Sequence, residues 1–253
     1  MRTAGLAFLT AALVQGADFA GSVACAGCHP KQYDTQSQSH HARALRPIGQ
    51  SPLARELPGK AIRERGGILL EYGADLTVTV RREEVLQAPL EWAFGAGHKA
   101  VTPVGRVNGQ YFEHRLSWYS AARRLALTPG HPAQPSPDVA SALGVMQPPA
   151  TISRCFNCHA AGVRSTAAGP DLTSMHPGVG CERCHGPGSE HIAQPSKGRL
   201  LNAGRFPARA VVEICGECHR SPNRTYSSPT PELDDPVSVR FQPVGFMASR
   251  CFS

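Results

Sequence analysis

Bulky side chains are scarce in this chain of 253 residues: aromatics make up 6% and tryptophan occurs twice. A protein core of that size normally draws on more large apolar groups, so the composition argues that something besides side chains fills the middle. Long hydrophobic runs are also lacking. The one apolar stretch, Ala4 to Val14, is too short to cross a bilayer as a permanent helix. With Arg2 ahead of it and Gly16 and Ala17 behind it, residues 1–16 read as an export signal. No later segment is apolar enough to span a membrane, so the mature chain is expected to be soluble and outside the cytoplasm, periplasmic or extracellular. Blocks of like charge are missing too. The formal charge is +7, yet the basic residues are scattered singly and no nucleic-acid motif accompanies them, which argues against DNA or RNA as partner.

Cysteine, by contrast, is plentiful. Eight of the nine cysteines form four Cys-x-x-Cys pairs, and a histidine follows each pair at once. The four strings are Cys25-Cys28-His29, Cys155-Cys158-His159, Cys181-Cys184-His185 and Cys215-Cys218-His219. With 11 histidines in the chain, four such neighbours arise by chance about 4 times in a million, which sets this pattern apart from a disulfide framework. Covalent haem attachment explains it. The two thiols add to the two vinyl groups of haem, and the next imidazole binds the iron from one side. Zinc ribbons use similar Cys-x-x-Cys spacing but need no histidine after every second cysteine. Thioredoxin-like dithiols sit on a βαβ scaffold that this text does not offer. Cys251, in "SRCFS", stands outside the pattern and reads as a free thiol.

Seven histidines are left for the opposite faces of the irons: His40, His41, His98, His114, His131, His176 and His191. Methionine, the other common second ligand, occurs only four times, one of them at position 1. Two imidazoles per iron are therefore expected for most sites. His191 follows Gly186-Pro187-Gly188, a bend that can carry it over a neighbouring ring. Pro30 suits a helix start and Pro47 a stop; that helix would put Tyr33, Ser37, His40 and Ala44 on one stripe with His41 at its edge. One of the pair His40/His41 is the expected ligand. His98, after the small residues of "FGAG", and His176, before Pro177, are further candidates. His114 alternates along a strand pattern and His131 sits in a Pro-rich stretch; neither is expected to bind iron.

The motifs are unevenly spread, which suggests a layout. Residues 17–60 carry the first motif, residues 131–225 carry three, and residues 226–253 read as an irregular tail rich in Pro and Ser at its start. Between them, residues 61–130 turn to strand language: "GILLEY", "LTVTVRR" and "RVNGQYFEHRLSWYS", with Asn108-Gly109 as a hairpin turn. The expected fold is a mostly α or irregular multihaem cytochrome with a haem-filled core and a small antiparallel β subdomain. "SPDVASALGVMQPPA" reads as loop.

The strings "CAGCH…SHHARA", "FGAGHKAVT", "CFNCH", "GVGCERCHGPGSEHI" and "VEICGECHR" together resemble the multihaem cytochrome c family of the c-552/c-554 type, across nearly the whole mature chain. That resemblance implies exported electron-transfer proteins with stacked haems c, four here. It favours His41 over His40 and supports His98 and His191 as second ligands. Relatives often run on past the equivalent of "RFQPVGFMASRCFS" into another motif, so a fragment of a larger cytochrome is an open reading, as is docking on a membrane-bound or larger cytochrome complex. Redox partner proteins are the expected contacts. The alternative is a multihaem oxidoreductase acting on a small nitrogen or sulfur compound, although no motif is marked out as special; a carrier is the expected role.

Overall fold

The computed structural model describes residues 18–197, 200–221 and 241–252. The expected signal segment and the stretch 222–240 lie outside the described residues.

Helix α1 (Pro30–Ser37) opens with Pro30 in its first turn, where the fixed φ suits a helix and the missing N–H costs nothing. It stops at Ser37, short of the length expected from the sequence. The Ser39 hydroxyl accepts from Ala42 N, and the Arg43 guanidinium donates to the carbonyls of Gln38 and Ser39. These local bonds compete with the helical ladder. His40 and His41 therefore sit on a turn, not on a helical stripe.

The chain then builds an antiparallel sheet. Its strands are β1 (Leu45–Pro47), β2 (Ala61–Arg63), β3 (Leu69–Tyr72), β4 (Thr77–Arg81), β5 (Val85–Phe94), β6 (Ala100–Val107), β7 (Gln110–His114), β8 (Leu116–Tyr119), β9 (Arg124–Leu127) and β10 (Gly144–Met146). The short helix α2 (Leu53–Glu56) lies between β1 and β2. Pairing runs β10-β7-β6-β5-β4-β3-β2, with β1 added to β5 and a β8–β9 hairpin folded back from β6. Asn108 and Gly109, both at positive φ, close the β6–β7 hairpin in the left-handed conformation that such a two-residue turn demands.

Two points differ from the sequence reading. The fold is mixed, not mostly helical or irregular, and the sheet is larger than a small insert. Leu45–Pro47 pairs with Trp92–Phe94, and Gly144–Met146 pairs with Phe112–His114, so the sheet reaches beyond residues 61–130 on both sides. The stretch read as loop holds helix α3 (Val139–Leu143), capped by the Asp138 carboxylate accepting from Ser141 N at 2.7 Å. Gly144 then passes so close to the Glu113 carbonyl, at φ +152°, that a side chain would clash. Three apolar residues were too few to announce a strand.

The sheet has a protein core of its own. Leu53, Leu57, Ile68, Leu70, Val78, Val80, Phe112 and Leu143 are among its fully buried members. Against another part of the sheet packs α4 (Pro149–His159). Its Phe156 meets Trp92, Phe94 and Tyr111 edge-on, with ring centroids 5.6, 5.2 and 5.6 Å away. A buried ion pair, Arg115 Nε to Glu64 Oε1 at 2.6 Å, holds the loop after β9, because Arg115 also donates to the carbonyls of Pro132 and Gln134.

The remaining helices are α5 (Cys181–His185), α6 (Ser189–Ala193), α7 (Ala208–His219) and α8 (Gln242–Met247). The last interrupts the tail expected to be irregular; Pro243 starts it and is buried, and Met247 reaches Ser221 beside α7. Apart from Pro243, every buried apolar side chain among the described residues lies between Leu45 and Ala161. Around the other motifs the buried residues are Gly21, Gly178, Glu182, Gly188, Gly216 and Ser221. Among the described residues no helix is long and apolar enough to cross a membrane.

Candidate functional site

Three of the four motifs end or form a helix: α4, α5 and α7 each close on Cys-x-x-Cys-His. The first is a short 3-10 turn, Ser22–Cys25, closed by His29 N donating to Cys25 O at 2.9 Å. Residues three and four apart share a helix face, so each motif offers two sulfurs and one imidazole to the same side.

The motifs also meet one another. The Cys25 thiol lies against that of Cys181; burial, with that neighbour adding to it, pushes Cys25 up to about 11. Cys158 and Cys218 share a hydrogen bond that raises the first thiol and lowers the second. Cys184 feels Cys215 in turn. Segments far apart in sequence thus form a connected series, motif one to three to four to two. Burial likewise pushes Cys155 up to about 11. Among the described residues no three His, Cys, Asp or Glu side chains converge as a zinc site requires.

The histidines sort into pairs. His29 and His191 have ring centroids 6.4 Å apart with planes 20° from parallel; His41 and His219 are 6.0 Å apart at 64°. A metal–nitrogen bond of about 2 Å on each side, plus about 1 Å from nitrogen to ring centre, separates two axial imidazole centroids by roughly 6 Å. Both pairs meet that separation. His40 and His98 stack at 4.8 Å, too close for an iron between them. His176 spends its Nε2 on the Phe19 carbonyl at 3.2 Å.

His159 and His185 carry a different preparation. Their Nδ1 atoms face the carbonyls of Ala44 and Leu201 at 3.0 and 2.6 Å. A carbonyl only accepts, so Nδ1 holds the proton and the Nε2 lone pair is left for a metal. Burial also pushes His159 below the usual imidazole range, which favours this neutral form. No ring contact among the described residues sets His40, His98 or His176 opposite either of them. His114 is buried in the sheet between Tyr72 and Leu143, and His131 is buried beside Glu113. Cys251 is exposed.

A family model described as cytochrome c554 and c-prime matches residues 24–60 and 130–186, on either side of most of the sheet and across the first three motifs. That match supports a multihaem cytochrome c family for this chain. The fold of the chain resembles that of the outer cell wall cytochrome OcwA, with 20% identity over 79% of this chain and a TM-score of 0.52. An undecahaem cytochrome from the S-layer of Carboxydothermus ferrireducens superposes with 18% identity over 83% of this chain and a TM-score of 0.48. The chain spans 37% of the first structure's length and 26% of the second's. No curated protein matches the sequence.

The donor set of this chain fits haem c: thiols and imidazoles on common faces, two imidazole pairs at axial spacing, and the Nε2 atoms of His159 and His185 kept free of protons. Half-exposed Ile192, Leu201, Phe206 and Phe246, and the more exposed Val23, add apolar surface beside the motifs. Sequence reasoning missed two residues there. Glu182 and Arg183 fill the variable positions of the third motif. Arg183 donates to the Asn157 carbonyl at 2.9 Å and reaches Cys218 Sγ at 3.8 Å, so one cation touches the second and fourth motifs. Nothing in Cys-x-x-Cys spacing marks what stands at x.

Proposed function

We propose that this multihaem cytochrome c is a four-haem electron-transfer unit working outside the cytoplasm. Cys25/Cys28, Cys155/Cys158, Cys181/Cys184 and Cys215/Cys218 would tether haem, with His29, His159, His185 and His219 as the first axial ligands. His191 would stand opposite His29, and His41 opposite His219. The observation that carries the reading is the separation of those two imidazole pairs, 6.4 and 6.0 Å.

Haem, when bound, supplies one-electron chemistry; the chain supplies spacing, ligands and exposure. Contact between thiols of different motifs supports closely packed haem edges. Residues 17–60 and 131–225 would form the haem-bearing part, with residues 61–130 within the sheet. Redox proteins are the partners this reading calls for. Because the chain spans about a third of the OcwA length, association with a larger cytochrome assembly belongs to the same proposal.

Mass measurement of protein matured in a host that attaches haem c should show four additions of about 616 Da, the mass of haem itself. Electron paramagnetic resonance should show low-spin bis-imidazole signals. His191→Ala should open one haem per chain, the one tethered by Cys25 and Cys28, to carbon monoxide. A mass matching bare polypeptide, or a His191→Ala spectrum identical to wild type, would overturn the assignment.

A further inference from the structure

Glu182 occupies a variable position of the third motif, yet its side chain is turned inward and only 4% of the residue is exposed. One carboxylate oxygen accepts from Ala20 N at 2.8 Å and Gly188 N at 2.7 Å; the other accepts from Gly21 N at 2.7 Å. A buried carboxylate costs several kcal/mol unless hydrogen bonds replace its water, and three backbone donors do so here. The donors come from two segments. Ala20 and Gly21 lead into the turn that carries Cys25, Cys28 and His29. Gly188 ends the Gly-Pro-Gly bend, and α6 begins at the next residue and carries His191.

One side chain thus ties together the supports of two imidazoles whose rings lie 6.4 Å apart. Neighbouring contacts close the same seam. Asp18 N donates to Ser189 Oγ at 2.8 Å, Ser189 N to Asp18 O at 3.2 Å, and Cys181 N to Ser22 Oγ at 2.9 Å. Both glycines are needed for the approach. Gly21 adopts φ +82°, where a side chain would run into the His176 ring, and a side chain on Gly188 would press on the Glu182 carboxylate.

We propose that Glu182 is a positioning residue that sets the separation and orientation of His29 and His191. The inference rests on reading those two as axial ligands of one haem iron. It predicts an effect confined to one haem, although Glu182 itself sits between the cysteines of another.

The test uses haem-loaded Glu182→Ala and Glu182→Gln, with Glu190→Gln as a control that removes an exposed carboxylate one residue from His191. Haem number is read by mass, ligation by electron paramagnetic resonance of the oxidised protein, and accessibility by carbon monoxide titration. With Glu182→Ala, four haems should remain, one low-spin signal should move, and carbon monoxide uptake should rise towards one per chain. Glu182→Gln keeps one acceptor oxygen but turns an amide donor towards a backbone N–H, so a smaller change at the same haem is expected. The control should match wild type. Loaded variants with wild-type spectra would overturn the inference, and so would equal disturbance of all four haems, which is general loosening. If the alanine variant does not accumulate, the glutamine variant decides by the same criteria. If His191→Ala leaves the wild-type signals unchanged, the ligand-pair reading itself fails and takes this inference with it, whatever the Glu182 variants do.

Discussion

Two regions of this chain solve the problem of a core in opposite ways. From Leu45 to Ala161, strands and short helices bury leucine, valine, isoleucine and phenylalanine against one another. Around the first, third and fourth motifs, the buried described residues are glycines, Glu182, Ser221 and Pro243, while Ile192, Leu201 and Phe206 stand half exposed. Apolar burial is the dominant favourable term in folding. The first region carries that term in its own sequence; the second, among the described residues, leaves much of its apolar surface uncovered. The contrast fits the proposed reading, in which the sheet region folds as an ordinary protein core and the motif segments would rely on haem.

The largest expected effect follows from withholding haem. In a host lacking haem c attachment, amides of residues 45–161 should keep slow hydrogen exchange, while those of α1, α5, α6 and α7 should exchange freely. This narrows the expectation from composition, that something besides side chains fills the middle of the whole chain. Uniform loss of protection would show that the sheet also depends on haem; uniform retention would show that the motif helices do not.

The junction between the regions offers the next test. Helix α4 belongs to both, because Phe156 packs on Trp92, Phe94 and Tyr111 while Cys155 and Cys158 of the same helix belong to a motif. Phe156→Ala leaves a fully buried cavity and should cost about 3–5 kcal/mol. Guanidinium titration followed by far-ultraviolet circular dichroism reads that loss. The haem on this helix should lose its fixed environment, with the His29 and His219 signals unchanged. A cost below about 1 kcal/mol would mean that α4 is held by its haem and not by the sheet.

How much was legible in the sequence follows the same division. The four Cys-x-x-Cys-His strings were readable because each lies within five consecutive residues, and the Asn108-Gly109 hairpin was readable because its backbone demands those residues. The reach of the sheet was not, since Leu45–Pro47 and Gly144–Met146 are three-residue strands that exist only by pairing with longer ones. The stop at Ser37 depended on competing bonds from Ser39 and Arg43. Glu182 was hidden for a deeper reason: its partners Ala20 and Gly21 are about 160 residues away, and backbone donors leave no signature in sequence.

The smallest of the expected effects concerns the sheet region alone and separates it by pH. His114 is fully buried; Tyr72 Oη lies 2.8 Å from its Nε2, and the Leu143 carbonyl lies 2.6 Å from its Nδ1. The carbonyl can only accept, so Nδ1 carries the proton and Nε2 accepts from the tyrosine, whose own ionisation is pushed far up by burial. Protonating Nε2 would break that bond and bury a charge. Burial accordingly pushes His114 down to about 4; the Leu143 bond and Glu64 oppose this and His131 adds to it. In the unfolded chain the same imidazole takes up its proton near pH 6.5. Above that pH neither state is protonated and the group leaves stability unchanged. As pH falls from about 6.5 to about 4 the unfolded state alone gains the proton, so the sheet region should lose about 3 kcal/mol, with no further loss from this group below that. Guanidinium midpoints measured across this window should show the decline, and His114→Gln, though less stable at pH 7, should flatten it. An unchanged slope in that variant would assign the acid sensitivity to other groups, with the Glu64–Arg115 pair next to be examined.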